Sequence, residues 1–156
     1  MFKLLINHTT IGVDFGDKII AINNYRVKYR IWQLASQERF RNPSYSIYYK
    51  KVNGIIFVLD ITDESSFSDL DYWISGVKQA TEYSNDNKVY FLCANKCDKC
   101  DLEEERRITK EQIKEFYKNN FNKKEEYIFE TSAKTGKNIN EMFDALAAAI
   151  FKKMNS

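Results

Sequence analysis

Two short polar motifs, each at the end of an apolar run, carry the residue types that could do chemistry. Asn95-Lys96-Cys97-Asp98 follows Val89-Tyr90-Phe91-Leu92-Cys93-Ala94, and Thr131-Ser132-Ala133-Lys134 follows Tyr127-Ile128-Phe129. Together they supply the donors and acceptors of a guanine pocket. An Asp98 carboxylate accepts from both the ring N–H and the exocyclic amine of guanine, Asn95 and a backbone N–H satisfy its acceptors, and the Lys96 stem covers the ring face. Adenine offers no such donor pair. Nowhere does the chain contain G-x-x-x-x-G-K-[ST], the loop whose amides and lysine cradle phosphates. The sequence holds a base pocket without the usual phosphate cradle.

Apolar patterning predicts the elements that position these motifs. Phe2–Ile6 reads as a short strand, and Thr10–Ile22 alternates loosely through Ile11, Val13, Phe15, Ile19 and Ile20. Asn23-Asn24 marks a tight turn before Tyr25–Trp32, whose strict period of two predicts a hairpin with one wet face. Ile55–Leu59, Val89–Ala94 and Tyr127–Phe129 are continuous apolar runs, as expected for parallel strands buried on both faces. Helical spacing occupies Ser65–Thr81, Thr109–Asn120 and Ile139–Met154, while Lys99–Arg107 and Lys118–Glu126 read as loops. Strands alternating with helices predict an α/β sandwich.

The 156 residues fit one domain, 1–156, with no internal repeat or linker. With 24 basic and 22 acidic residues the net charge is +2, so no nucleic-acid stripe or polybasic membrane patch is expected. Ten Tyr and eleven Phe exclude disorder, and no apolar run reaches the roughly 18 residues of a membrane span. The start is too short for a signal peptide, and Cys93, Cys97 and Cys100 fit a reducing, cytoplasmic compartment. Cys97-Asp98-Lys99-Cys100 formally matches C-x-x-C, but a second cysteine pair is lacking and the sole histidine, His8, is remote. Cys97 reads better as the variable position of Asn-Lys-x-Asp, and Cys100 as part of a polar loop.

From Thr10 onward the chain resembles the Rab family of small GTPases. Thr10-Ile11-Gly12-Val13-Asp14-Phe15, Tyr29-Arg30-Ile31-Trp32-Gln33-Leu34-Ala35-Ser36-Gln37-Glu38-Arg39-Phe40, Gly54-Ile55-Ile56-Phe57-Val58-Leu59-Asp60-Ile61-Thr62, Asn95-Lys96-Cys97-Asp98 and Glu130-Thr131-Ser132-Ala133-Lys134 stand in that family's order and near its spacing. The resemblance implies a small-GTPase-like (P-loop NTPase) sandwich with a mostly parallel central sheet and one antiparallel edge hairpin. Only Asn7-His8-Thr9 stand where the family places its P-loop, first helix and most of switch I. In the family's strand order the end of strand one and the start of strand two lie two strand spacings apart, about 10 Å. Asn7 to Thr10, at about 3.3–3.6 Å per residue, reaches that far. The sheet is expected to close, leaving the face of the missing helix as an exposed apolar patch.

By resemblance Asn95, Lys96 and Asp98 contact the base, with Ser132, Ala133 and Lys134 closing the pocket. Thr10 matches the switch threonine that reaches Mg²⁺ and the γ-phosphate, and Gln37 the catalytic glutamine that orients the attacking water. Gln33 and Ser36 replace the Asp and Gly of the switch II motif, so Thr10 and Gln37 also read as ordinary surface residues. Ile11, Phe15, Trp32 and Tyr48 resemble the surface presented to effectors, with core packing as the alternative for the aromatic residues and Tyr49 as the alternative to Tyr48.

The resemblance implies a membrane-traffic switch that binds GTP/GDP weakly and hydrolyses poorly, and it leaves Mg²⁺ doubtful because Gln33 is a neutral amide. The alternative is a pseudo-GTPase that presents an effector surface without turnover. Implied partners are Rab-type effectors or exchange factors, with self-association through the bare face and no nucleic acid. The chain as given lacks the C-terminal cysteines that carry the family's lipid anchor. It is expected to be cytoplasmic, or peripheral on endomembranes through partners.

Overall fold

The strict alternation from Tyr25 onward builds the strand it predicts and carries it further. In the computed structural model, which describes residues 2–8, 13–22, 25–35, 49, 52–81, 88–101, 105–121 and 127–155, β2 (Val13–Ile22) and β3 (Tyr25–Ala35) pair antiparallel from Val13↔Leu34 to Ile22↔Tyr25. On the wet face Asp17 bridges Lys28 at 2.7 Å and Arg30 at 3.3 Å. Hydrogen bonds from Lys28 and then Arg30 hold the Asp17 carboxyl below the usual carboxylate range. The expected turn residues Asn23 and Asn24 lie outside the described residues, as do residues 9–12 at the predicted start of the second strand.

β1 (Phe2–His8), β4 (Gly54–Asp60), β5 (Val89–Asn95) and β6 (Ile128–Glu130) complete a six-stranded sheet of order β2-β3-β1-β4-β5-β6. β1 runs parallel to both β3 and β4, pairing Leu4 with Ile31 and Gly54. Only β2 is antiparallel to its neighbour. Residues 9–12 alone separate β1 from β2.

Alternation along β4 sorts its apolar side chains into two cores. Ile55, Phe57 and Leu59 pack with Leu70, Trp73, Ile74 and Val77 of α2 (Leu70–Thr81) and with Ile113, Tyr117 and Phe121 of α3 (Lys110–Phe121). Ile56 instead joins Val27, Tyr29, Phe91 and Cys93 beneath Met142, Phe143, Leu146, Ala147 and Ile150 of α4 (Ile139–Met154). Tyr29 donates its hydroxyl to the Phe143 carbonyl at 3.0 Å, and burial pushes its phenol pKa upward.

Two sequence expectations are corrected. The single helix over Ser65–Thr81 is interrupted at Asp69 into α1 (Glu64–Ser68) and α2. The interruption is slight: Asp69 keeps helical φ/ψ, its N–H donates to the Ser65 carbonyl at 3.0 Å and its carbonyl accepts from the Trp73 N–H at 3.3 Å. The loop expected from Lys118 starts later, because α3 continues through Phe121, which is buried one turn beyond Tyr117. The Tyr117 hydroxyl donates to the Tyr90 carbonyl at 2.8 Å and fastens this last turn to β5.

The face expected to be bare is partly roofed by α4. Val27, Tyr29 and Ile56 are buried, while Ile31 and Val58 remain half-buried at its margin. Among the described residues the large exposed apolar side chains of the sheet, Phe15 and Ile19, stand on the opposite face, on the same side of β2 as Asp17. On the roofed side Lys18 donates to Asn140 of α4 at 2.8 Å and lies 5.0 Å from the centroid of the Phe143 ring.

Candidate functional site

Parallel pairing of β4 and β5 in the register Asp60↔Asn95 brings two polar residues to the same carboxyl end of the sheet, the end at which open α/β sheets bind ligands. Lys96 then adopts the left-handed conformation (φ 69°), uncommon for a residue with a side chain. This bend starts the short 3-10 helix Cys97–Asp101, and the Cys97 N–H donates to the Thr131 carbonyl at 3.0 Å. The predicted loop over Lys99–Arg107 therefore begins as a helical turn.

The second loop is tied to the first by a dense set of bonds. Thr131 donates its N–H to the Ala94 carbonyl at 2.8 Å, extending the β5–β6 pairing. Asn95 Oδ1 accepts from the Ala133 N–H at 3.0 Å and from Thr131 Oγ1 at 3.3 Å. Asn95, Thr131 and Ser132 are all buried. In this arrangement Asn95 binds loop to loop, a role beyond the base contact that its residue type suggests. Cys93 Sγ lies 3.0 Å from Thr131 Oγ1, and burial pushes its thiol up to about 11.

Ser132 Oγ donates to Asp98 Oδ1 at 2.6 Å and accepts from the Thr135 N–H at 3.1 Å. That hydrogen bond, aided by the Asp98 backbone N–H and by attraction to Lys134 and Lys99, holds the half-buried Asp98 carboxyl below the usual range against the opposing cost of desolvation. Asp98 is thus presented as an oriented carboxylate, the form that accepts from two guanine donors. Gly136 (φ 81°) turns the loop back so that its N–H reaches the Ser132 carbonyl at 2.8 Å. Ala133 and Lys134 are exposed at the rim.

Sequence reasoning missed three supports. Lys96 Nζ sits 2.5 Å from Asp60 Oδ2, while Asp60 Oδ1 accepts from the Thr62 N–H at 2.9 Å and from Thr62 Oγ1 at 2.7 Å. Partial burial resists ionisation of Asp60, but Lys96 and Thr62 outweigh it and lower its pKa. The signal was available: Asp60 ends its apolar run as Asn95 ends the next. The Thr131 hydroxyl is the second. Arg106 is the third, meeting Glu130 at 2.6 Å with Lys110 at 3.6 Å, directly before the Thr131 loop.

Asn95, Lys96, Asp98, Ser132, Ala133 and Lys134 are therefore brought to one end of the sheet. Thr10, Ile11, Ser36, Gln37 and Tyr48 lie outside the described residues. Gln33 is half-buried on β3. Phe15 and Trp32 meet with ring centroids 5.6 Å apart, Phe15 being 66% exposed and Trp32 half-buried against the core. Tyr49 is buried in that core beside Gly76, so it is a packing residue. Among the described residues no group of three His, Cys, Asp or Glu is placed to hold a metal ion, and no helix is long and apolar enough to cross a membrane.

The order of strands and the two loops paired at the carboxyl end of the sheet define an α/β domain of the small-GTPase type. Residues 5–152 match the Ras family. The chain is 39% identical over 155 residues to the Ras-related protein Rab-4A of Danio rerio, covering 99% of this chain and 67% of that protein. It is 37% identical over 145 residues to the Ras-related protein Rab-13 of Mesocricetus auratus, covering 93% of this chain and 66% of that protein. Similarity to the human Ras-related protein Rab-4B is 37% over 155 residues, with coverage of 99% and 67%. The chain belongs to the Ras family as a Rab-type small GTPase domain, and it spans about two thirds of the length of these curated relatives.

Proposed function

We propose that this chain is a guanine-nucleotide-binding domain of a Rab-type membrane-traffic switch, in which the base supplies most of the affinity and hydrolysis is impaired. The observation that carries this reading is the Ser132–Asp98 hydrogen bond of 2.6 Å, made between loops that Asn95 holds together. The residues present fit guanine. Asp98 would take the two donors of the base, and Lys96, Ser132, Ala133 and Lys134 would border it. For the phosphates and Mg²⁺ the fit is poor, since the chain carries no P-loop motif and Gln33 stands where the metal-associated carboxylate belongs. Thr10 as a metal contact and Gln37 as a catalytic residue belong to this reading as residual roles, weakened by Gln33 and Ser36.

Isothermal titration with guanosine tests the base pocket. Asp98→Ala leaves two guanine donors without an acceptor, so guanosine affinity is expected to fall roughly 5- to 100-fold. Unchanged guanosine binding in that variant would refute the base-pocket reading, provided circular dichroism shows an intact fold.

A second reading, a pseudo-GTPase that docks effectors or exchange factors without turnover, is favoured by the Phe15–Trp32 pair, whose exposed ring offers an apolar anchor. Ile11, Phe15, Trp32 and Tyr48 would form that surface. Partner binding that survives in nucleotide-free protein separates this reading from the first. In either case the domain would work in the cytoplasm, reaching endomembranes through partners.

The half-buried strip at Ile31 and Val58 is the place for self-association, since burying it in a dimer would replace the helix cover that the family provides. Analytical ultracentrifugation is expected to show mass rising with concentration, and Tm should rise with it. A monomer with a concentration-independent Tm would exclude this contact.

A further inference from the structure

The C-x-x-C spacing of Cys97 and Cys100 carries no metal motif, but the fold brings the two cysteines together. Cys97 and Cys100 lie in the 3-10 helix Cys97–Asp101. Such a helix has three residues per turn and rises about 2.0 Å per residue, so side chains three apart eclipse and their Cα atoms stand about 6 Å apart. That is within the span a disulfide bridges without backbone movement. The turn is fixed by the Lys99 N–H, which donates to the Lys96 carbonyl at 3.0 Å. Cys97 is buried in the core beneath α2 and α3, and the half-buried Cys100 packs against that same core. Cys93 belongs to the opposite core, under α4, across the sheet. All three stand as thiols.

We infer that Cys97 and Cys100 are a dithiol modification site, closing to an intramolecular disulfide around Asp98-Lys99 by exchange with a low-molecular-weight disulfide such as oxidised glutathione. The more accessible Cys100 gives its proton to water, and its thiolate attacks one sulfur of the small disulfide. A mixed disulfide forms and one small thiolate leaves. Cys97, deprotonated in turn, attacks Cys100 Sγ and displaces the second small thiolate. The two protons end on the two small thiols, so one disulfide is reduced as the protein disulfide is made. Burial raises the Cys100 thiol pKa, with Arg106 opposing it, so exchange should quicken with rising pH.

The ring encloses Asp98, and drawing Cys97 Sγ from the core toward Cys100 would loosen the packing beneath the turn that aims this carboxylate at Ser132. The consequence for guanine rests on the base-pocket reading. The disulfide itself does not.

The test incubates the whole chain with oxidised glutathione at pH 8 and reads intact mass, followed by peptide mapping without reduction. The expected product has lost two hydrogens, is bridged Cys97–Cys100, forms equally in Cys93→Ala, and fails to form in Cys100→Ser and Cys97→Ser. A stable mixed disulfide as end product, or a bridge to Cys93, would overturn the pairing. Guanosine titration of both redox forms is expected to show binding several-fold weaker after oxidation, restored by a reducing agent. Equal binding in both forms would overturn the coupling to the base loop. Absence of guanosine binding in both would refute the base-pocket reading and leave the disulfide to be judged by mass.

Discussion

Guanosine, GDP and GTP are expected to compete for this domain at similar concentrations, with little dependence on Mg²⁺. A phosphate loop supplies several charge-assisted hydrogen bonds, each worth roughly 1.5–3 kcal/mol. Its loss therefore costs on the order of 5 kcal/mol or more, about 10³-fold or beyond in Kd. The structural basis is the short path between strands: β1 ends at His8 and β2 begins at Val13. Residues 9–12 cannot supply both a glycine-rich loop and the helix whose N-terminus would face the phosphates. What the proposal keeps is the base end, where Asp98 is bonded to Ser132 and Asn95 to Ala133. Competition against a fluorescent guanine nucleotide checks this. A GTP affinity far above that of guanosine, lost on removing Mg²⁺, would mean that the phosphate site had been rebuilt from other residues.

Phe57→Ala is expected to destabilise the domain by about 3–5 kcal/mol, the usual cost of truncating a fully buried phenylalanine. For a domain of this size that lowers Tm by roughly 6–20 °C. Phe57 is 1% exposed on the central strand β4, with its ring 5.6 Å from Phe121 and stacked at 6.4 Å on Tyr90. It ties α3 to the sheet through its contact with Phe121. Such a loss is a large share of a typical stability of about 5–15 kcal/mol. Urea unfolding followed by fluorescence and by circular dichroism gives the value. A change below about 1 kcal/mol would show that the core collapses around the gap.

The two polar motifs proposed to contact the base are written locally, and so the sequence alone showed where they stand. Asn95-Lys96-Cys97-Asp98 and Thr131-Ser132-Ala133-Lys134 each occupy four consecutive residues directly after an apolar run, so the positions of their side chains follow from where a strand must stop. The helix Ile139–Met154 was read to its ends because every buried residue on it repeats at helical spacing. Likewise, period two announced the hairpin partner of β2. Failures of reading share another cause. The break at Asp69 is a local change of backbone at a polar residue, which apolar spacing does not record. Continuation of α3 through Phe121 depends on the aromatic cluster it reaches.

The tertiary structure alone decided what those motifs are attached to. Asp60 and Lys96 are 36 residues apart in the chain yet form an ion pair, because parallel register sets Asp60 beside Asn95. Asn95 became the tie between loops only when Ala133 and Thr131 folded against it. Cys97 and Cys93, four residues apart, parted to opposite cores while Cys97 and Cys100 were brought onto the same one. A run of residues carries its own periodicity, so strands and helices can be read from it. Which side chains meet across strands depends on register and on the side of the sheet each faces, and those are set when the whole sheet closes.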